Sequence, residues 1–259
     1  MQLPPSPALA DVVRHYLIIE YASPTGPGAY RFFPDGSPGI VFSFTEPLTG
    51  AAVPGSAFVY GQASRHSDLT AHGNLSLLVV VLQPWGLYGL TGIPGTEMTD
   101  LRLPPEELFR KPELADQLAE CVTWPDRIRL LEKWLADQCG RPNPEVKQLR
   151  HLLAGMAADG QIPSIRQLAD DICLTERTLE RRFDRMIGLP PKAFFRILRL
   201  QKSLKMKRSD PDLSLTEVAY QSGFYDQAHF IRDCIRLSGM TPGRYLAHPG
   251  RLAANFLPV

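Results

Sequence analysis

The sequence predicts an α+β fold: a β-rich N-terminal domain followed by an all-α domain with two helix-turn-helix subdomains. Three observations predict it. Fifteen of the 24 prolines lie in residues 1–140, among short apolar runs. A helical unit that opens at Ser164 recurs about 50 residues later. The charge is split: residues 1–140 hold nine Lys+Arg and fifteen Asp+Glu, whereas residues 141–259 hold 19 and 12. The net charge of +1 conceals this division. An acidic front and a basic back point to a nucleic-acid or membrane-surface role for one half.

The front half reads as strands. Val12 to Tyr21, Tyr30 to Phe33, Gly39 to Phe44, Ala57 to Tyr60 and Leu75 to Leu82 are apolar runs separated by Gly/Pro turns. Pro34-Asp35-Gly36 is a turn signal, because proline presets φ and glycine accepts a positive one. Such spacing suits a β-sandwich or small barrel. Gly86-Leu-Tyr-Gly-Leu-Thr-Gly92 lacks the strand–helix context and the lysine of a phosphate loop, so it is expected to shape a turn. Helical spacing begins at Glu106 to Cys121. Trp124 to Cys139 then carries Ile128, Leu131 and Leu135 on one face, an amphipathic helix expected to pack internally or bridge to the back half, the alternative being that it joins two subunits. Gly140-Arg141-Pro142-Asn143-Pro144 marks the boundary. The expected division is 1–110 β-rich, 111–145 helical linker and 146–259 DNA-binding.

Composition excludes several classes. A hydrophobic fraction of 44% rules out a disordered polymer. The apolar runs are too short for a bilayer, so no membrane association is expected. MQLPPSPALADVVRHY has no basic region followed by an apolar core, so no signal peptide is expected and the location is expected to be cytoplasmic. Cys121, Cys139, Cys173 and Cys234 have no metal-ligand or disulfide spacing. His66 and His72 lack a His-x-His pair or a clustered carboxylate, and no metal or other cofactor is expected. No nucleophile–histidine arrangement suggests catalysis.

The repeat carries the functional signal. Ser164-Ile-Arg-Gln-Leu-Ala-Asp-Asp-Ile-Cys-Leu174 aligns with Ser214-Leu-Thr-Glu-Val-Ala-Tyr-Gln-Ser-Gly-Phe224. Each opens with a capping box, Ser164 with Gln167 and Ser214 with Glu217. Each carries an alanine, Ala169 or Ala219, where a second helix can cross closely. A tight break follows. Thr175 and Asp226 are N-caps for second helices. Leu179, Phe183 and Ile187 form one core stripe, with Phe230, Cys234 and Ser238 in matching places. Gly188 and Gly239 close the helices. Short helix, turn and longer helix form a helix-turn-helix, whose second helix enters the major groove. A scaffolding repeat would explain the core stripes but not the opposite faces.

Those faces carry hydrogen-bonding groups suited to bases. Arg177 and Arg181 match guanine O6 and N7, and Glu180 can accept from cytosine. Gln227 suits adenine, and Ala228 suits a thymine methyl, with Arg232 beside them. Arg182, Arg185, Lys192 and Arg196 are candidates for phosphate contacts.

SIRQLADDICLTERTLERRFDRMIGLPPKAFFRILRLQKSLK and SLTEVAYQSGFYDQAHFIRDCIRLSGMTPGRYL resemble the DNA-binding domain of the AraC/XylS family of bacterial transcription regulators. GFYDQAHF followed by GMTPGRY is the most specific part. The resemblance spans about residues 148 to 248. It implies two helix-turn-helix subdomains joined by a central helix, here about Pro191 to Lys207. Their recognition helices would address successive major grooves, about 34 Å apart. It adds His229 to the base-reading candidates. Cys173 departs from the family's usual glycine, Cys234 from its phenylalanine and Leu246 from an arginine. Residues 1–110, through YRFFPDGSPGIVFSF, VYGQASRHS and LQPWGLYGLTGIPGTEMTD, resemble the cupin-like domain of one branch of these regulators. That implies sensing of a small molecule, dimerisation, or both.

Tyr30, Phe32, Phe42, Phe44, Tyr60, Trp85 and Tyr88 are expected to line a barrel interior. Arg31, Asp35, Tyr60 and Trp85 are the candidate ligand contacts. The expected function is a sequence-specific DNA-binding transcription regulator, with double-stranded DNA as partner. A small-molecule effector and RNA polymerase are further implied partners, and the chain acts as monomer or homodimer. A rival from another class is a cupin-like ligand-binding or catalytic protein whose helical tail serves protein interaction.

Overall fold

The computed structural model describes residues 1–22, 28–45, 48–50, 55–109, 113–140, 143–159, 164–248 and 252–258, with backbone alone for 155–159. Arg141 and Pro142 of the expected boundary lie outside the described residues.

The front half forms two antiparallel sheets. Strands β1 (Gln2–Leu3), β2 (Val13–Tyr21), β4 (Gly39–Ser43), β5 (Ala57–Tyr60), β7 (Leu75–Leu82) and β8 (Arg102–Leu103) make one, in the order β1-β2-β7-β4-β5-β8. The other comprises β3 (Gly28–Phe32), β6 (Ser67–Ala71) and β9 (Phe256–Pro258), in the order β6-β3-β9. The large sheet is buried on both faces. Ile19, Val41, Leu77, Val79 and Val81 face the small sheet. Ile18, Ile40, Phe42, Leu78 and Val80 face helices on the other side. This explains why Leu75 to Leu82 is an unbroken apolar run rather than an alternating one.

Helices α2 (Leu114–Glu120) and α3 (Trp124–Gln138) cover that outer face through Leu114, Leu118, Leu131, Trp134 and Leu135. Glu132 on α3 accepts from the Ser6 amide at 2.7 Å and from the Tyr16 hydroxyl at 3.2 Å. The segment expected as a linker is therefore part of the β-rich unit, because an amphipathic stripe beside an apolar sheet face buries itself there. The helix expected from Glu106 is instead a single 3₁₀ turn, Pro105–Glu107, before α2. The glycine-rich stretch expected as a turn forms a short helix, α1 (Gly86–Thr91), closed by Gly92 at φ 71°.

The back half is helical: α4 (Pro144–Asp159), α5 (Ile165–Asp171), α6 (Glu176–Met186), α7 (Pro191–Ser209), α8 (Leu215–Gln221), α9 (Gln227–Ser238) and α10 (Pro242–Ala247). Among the described residues, no helix is long and apolar enough to cross a membrane. Its core joins Leu168, Leu179, Phe183, Phe194, Leu200, Val218 and Phe230 to Phe33 and Trp85 from the front half.

The halves meet at several joints. Gly188, just past α6, abuts Gly95: a side-chain carbon there would lie 2.5 Å from the Gly95 carbonyl oxygen. The Thr99 hydroxyl donates to the Gly188 carbonyl at 2.6 Å. Gly239, just past α9, sits against Arg31 and His66. Gln201 on α7 donates to the Pro34 carbonyl at 2.7 Å. The helical domain does not run to the chain end as expected, since β9 leaves it and pairs with β3.

Candidate DNA-binding interface and interdomain cavity

Both helix-turn-helix units follow from local capping chemistry. Ser164 and Ser214 each complete a capping box. Thr175 accepts from the Thr178 amide and Asp226 from the His229 amide, which start α6 and α9. Gly223 takes φ 83° in the second turn, and Cys173 occupies the equivalent place at φ 53°. A side chain in the left-handed region costs about 1–2 kcal/mol. Cys173→Gly is expected to stabilise the chain by about 0.5–1 kcal/mol. The check is a raised urea midpoint at unchanged slope.

On α6, Leu179, Phe183 and Met186 are buried, and Arg177, Glu180 and Arg181 are exposed on the opposite side. Arg182 and Arg185, expected at phosphate, are both engaged by α4, although Arg185 remains exposed. Arg182 donates to Gln148 at 2.6 Å and lies 3.4 Å from Glu145, with which Arg185 also pairs. These ion pairs brace α6 against α4. Lys192 is exposed at the start of α7.

On α9, Phe230, Cys234 and Leu237 are buried, while Ala228 and Arg232 are exposed. Gln227 is partly exposed, and its side-chain oxygen accepts from Thr216 at 2.7 Å, which leaves its amide hydrogens to donate. His229 is turned away from that face. Its ring meets Phe224 edge-on at 5.3 Å, and Nε2 lies 3.5 Å from Asp233. Asp233 is nearly buried and also faces Arg196 at 3.4 Å. Arg196, expected at phosphate, thus ties α7 to α9, because a buried carboxylate draws the nearest cation.

Two exposed aromatics were missed, Tyr220 at 60% and Tyr225 at 84% exposure. Tyr225 immediately precedes the α9 cap, where a phenol can reach phosphate. A large aromatic in a polar turn was the available signal.

A cavity of about 900 Å³ lies between the two sheets and α7. Its walls include Ile19, Val41, Phe58, Leu77 and Val79, with Asp35 and Tyr60. Leu198, Gln201, Lys205 and Arg208, spaced along one side of α7, contribute its other wall. Of the four expected ligand contacts, Asp35 and Tyr60 line it and two do not. Arg31 is held by both Asp68 oxygens at 2.7 Å. Trp85 donates to the Asp11 carbonyl at 2.8 Å and packs in the helical core. Phe32 lines the cavity, but Phe42 faces the α2–α3 layer and Phe44 lies beneath Arg127. Tyr30 packs between the sheets, and Tyr88 packs on the helical core. His72 meets the Thr49 hydroxyl at 3.3 Å, away from His66 at Gly239.

Burial pushes the Asp35 carboxyl above its ordinary range and is only partly offset by Arg14. Burial, then the Arg14 charge, presses His15 on the cavity wall down to about 4 from 6.5. The unfolded chain therefore takes up this proton before the folded one does. Stability from His15 is present above pH 6.5 and falls away as the pH drops towards 4. His15→Gln is expected to remove up to about 2 kcal/mol of acid sensitivity, after allowing for solvent screening. Urea melts of both chains across that pH window provide the check.

Comparison with known proteins bears on both halves. Residues 168–248 match a family model described as a helix-turn-helix domain. The HTH-type transcriptional regulator MtrA of Neisseria gonorrhoeae is 36% identical over 78 residues, 30% of this chain and 26% of that protein. The HTH-type transcriptional activator RhaS of Escherichia coli O9:H4 is 30% identical over 123 residues, 48% of this chain and 36% of that one. The helical half contains a helix-turn-helix domain. The match covers only about a quarter to a third of those curated relatives. Residues 1–104 match a domain of unknown function, DUF6597. The structure of unsaturated fatty acid-bound ToxT from Vibrio cholerae is 12% identical, with TM-score 0.51 over 89% of this chain and 94% of that one. That likeness concerns the fold alone, in which a helical domain follows a β-rich one.

Proposed function

We propose that this protein is a sequence-specific DNA-binding transcription regulator whose β-rich domain senses a small molecule. One observation carries the DNA-binding part: two equivalent helices, each capped and buried on one side, carry, on the other, side chains whose hydrogen-bonding groups suit base edges. These are Arg177, Glu180 and Arg181 on α6, and Gln227, Ala228 and Arg232 on α9. Lys192 and Tyr225 supply phosphate contacts beside them. The relatives' roles in transcription support the same assignment.

The cavity supports the sensing part. Its apolar sheet wall and the basic Lys205 and Arg208 suit an apolar molecule with an acid group. The fatty acid held by ToxT belongs to that class. A long-chain unsaturated fatty acid is therefore the effector to try first. Isothermal titration should show binding that weakens for the alcohol of the same chain and for the Lys205→Glu/Arg208→Glu protein. Equal binding of acid and alcohol would remove the basic residues from the site.

Selection of double-stranded DNA from a random library by the whole protein tests the regulator assignment. Enriched sequences should outcompete random DNA, with affinity falling steeply as salt rises, because lysines and arginines displace counterions. Enrichment of nothing would refute it.

A further inference from the structure

The C-terminal tail belongs to both domains at once. Leu252 to Phe256 line the cavity. The Leu252 and Ala253 amides both donate to the Phe256 carbonyl, at 3.1 and 2.9 Å, which folds the tail back on itself. β9 then runs antiparallel to β3, with Phe256 opposite Phe32 and Leu257 opposite Arg31. Asn255 extends the pairing: its carbonyl accepts from the Phe33 amide at 3.1 Å, and its side-chain amide donates to the Phe33 carbonyl at 3.2 Å.

Successive strand side chains point to opposite faces. In β9 each face enters a different core. Phe256 stacks on Tyr30 at 5.4 Å, inside the sheets. Leu257 is fully buried in the helical core. The same core contains Tyr245 of α10, whose hydroxyl donates to the Ala254 carbonyl at 2.8 Å. Strand β3 also holds the end of α9, since Arg31 donates to the Gly239 carbonyl at 3.3 Å. The tail and the second subdomain thus share one anchoring strand.

We infer that residues 252–258 are an interdomain strap that closes one side of the cavity and restrains the second helix-turn-helix subdomain, so that displacing Phe256 also frees Leu257 and loosens that subdomain. A three-residue edge strand is a weak element, able to open without unfolding either domain. The strap deepens the proposed sensing function by giving the cavity a physical route to α9.

The test is amide hydrogen exchange on the full chain, read by mass spectrometry for wild type, Phe256→Ala and Leu257→Ala. Each variant is expected to raise exchange roughly tenfold in both β3 and α8–α10, with β7 and α6 unchanged. The inference is overturned if Phe256→Ala loosens only the sheets and Leu257→Ala only the helices. Loosening confined to 252–258, or spread through the whole chain, overturns it equally. The measurement uses neither DNA nor effector, so a wild type that binds no DNA would count against the regulator assignment and leave the strap result standing.

Discussion

Replacing Arg177 and Arg181 together by alanine is expected to cost roughly 2–5 kcal/mol of affinity for the selected DNA site. Each guanidinium can donate in parallel to the two acceptors of a guanine, which is worth about 1–3 kcal/mol against the wrong base. Both side chains are exposed and stand opposite the buried Leu179 and Phe183, so their loss leaves the core intact. Stability should therefore change by less than about 0.5 kcal/mol. Sequence preference should relax only at the base pairs read by α6. Lys192→Ala supplies the contrast, with uniform weakening and a shallower salt dependence. Fluorescence anisotropy against the selected site and single-base variants measures all three. A double variant that still prefers the selected bases would remove α6 from base reading.

Asp233→Ala is expected to destabilise the fold by about 3 kcal/mol. The carboxylate is nearly buried and faces Arg196 at 3.4 Å and His229 at 3.5 Å. Its charge also supports Arg199, which burial disfavours as a cation. Removing it leaves two arginines of α7 facing a site without a counter-charge. The consequence should be asymmetric, because Asp233 fixes α9 on the central helix through Arg196. Discrimination at the α9 half of the DNA site should be lost while the α6 half is retained. Denaturant melts and anisotropy on half-site variants measure both effects. A stability change below about 1 kcal/mol would mean the ion cluster is solvated and does not set the helix angle.

Much of the helical domain is legible in sequence because its signals are local. Capping boxes, N-cap hydroxyls, C-cap glycines and apolar stripes act within one or two turns. They place α5, α6, α8 and α9 close to their observed bounds. Four strands of the large sheet, β2, β4, β5 and β7, announce themselves as apolar runs, whereas the two-residue β1 and β8 do not. What sequence did not reveal depends on contacts distant along the chain. Nothing local marks Phe256–Pro258 as a strand, because its partner β3 lies more than two hundred residues earlier. Arg182, Arg185 and Arg196 look like free cations until Glu145 and Asp233 arrive from other helices. His229 sits within a base-reading motif but turns towards the acid one helical turn away. The basic stretch of α7 combines two roles that composition cannot separate: Lys192 faces solvent, whereas Lys205 and Arg208 border the cavity.

Two helices reading adjacent major grooves would leave a distinctive pattern on DNA. Hydroxyl-radical footprinting of the whole protein on its selected site measures that pattern directly. Two protected stretches are predicted on one face of the duplex, about 10–10.5 base pairs apart. Arg177→Ala/Arg181→Ala should erase one, and Arg232→Ala should weaken the other. A single protected stretch, or uniform protection indifferent to sequence, would contradict paired recognition by α6 and α9.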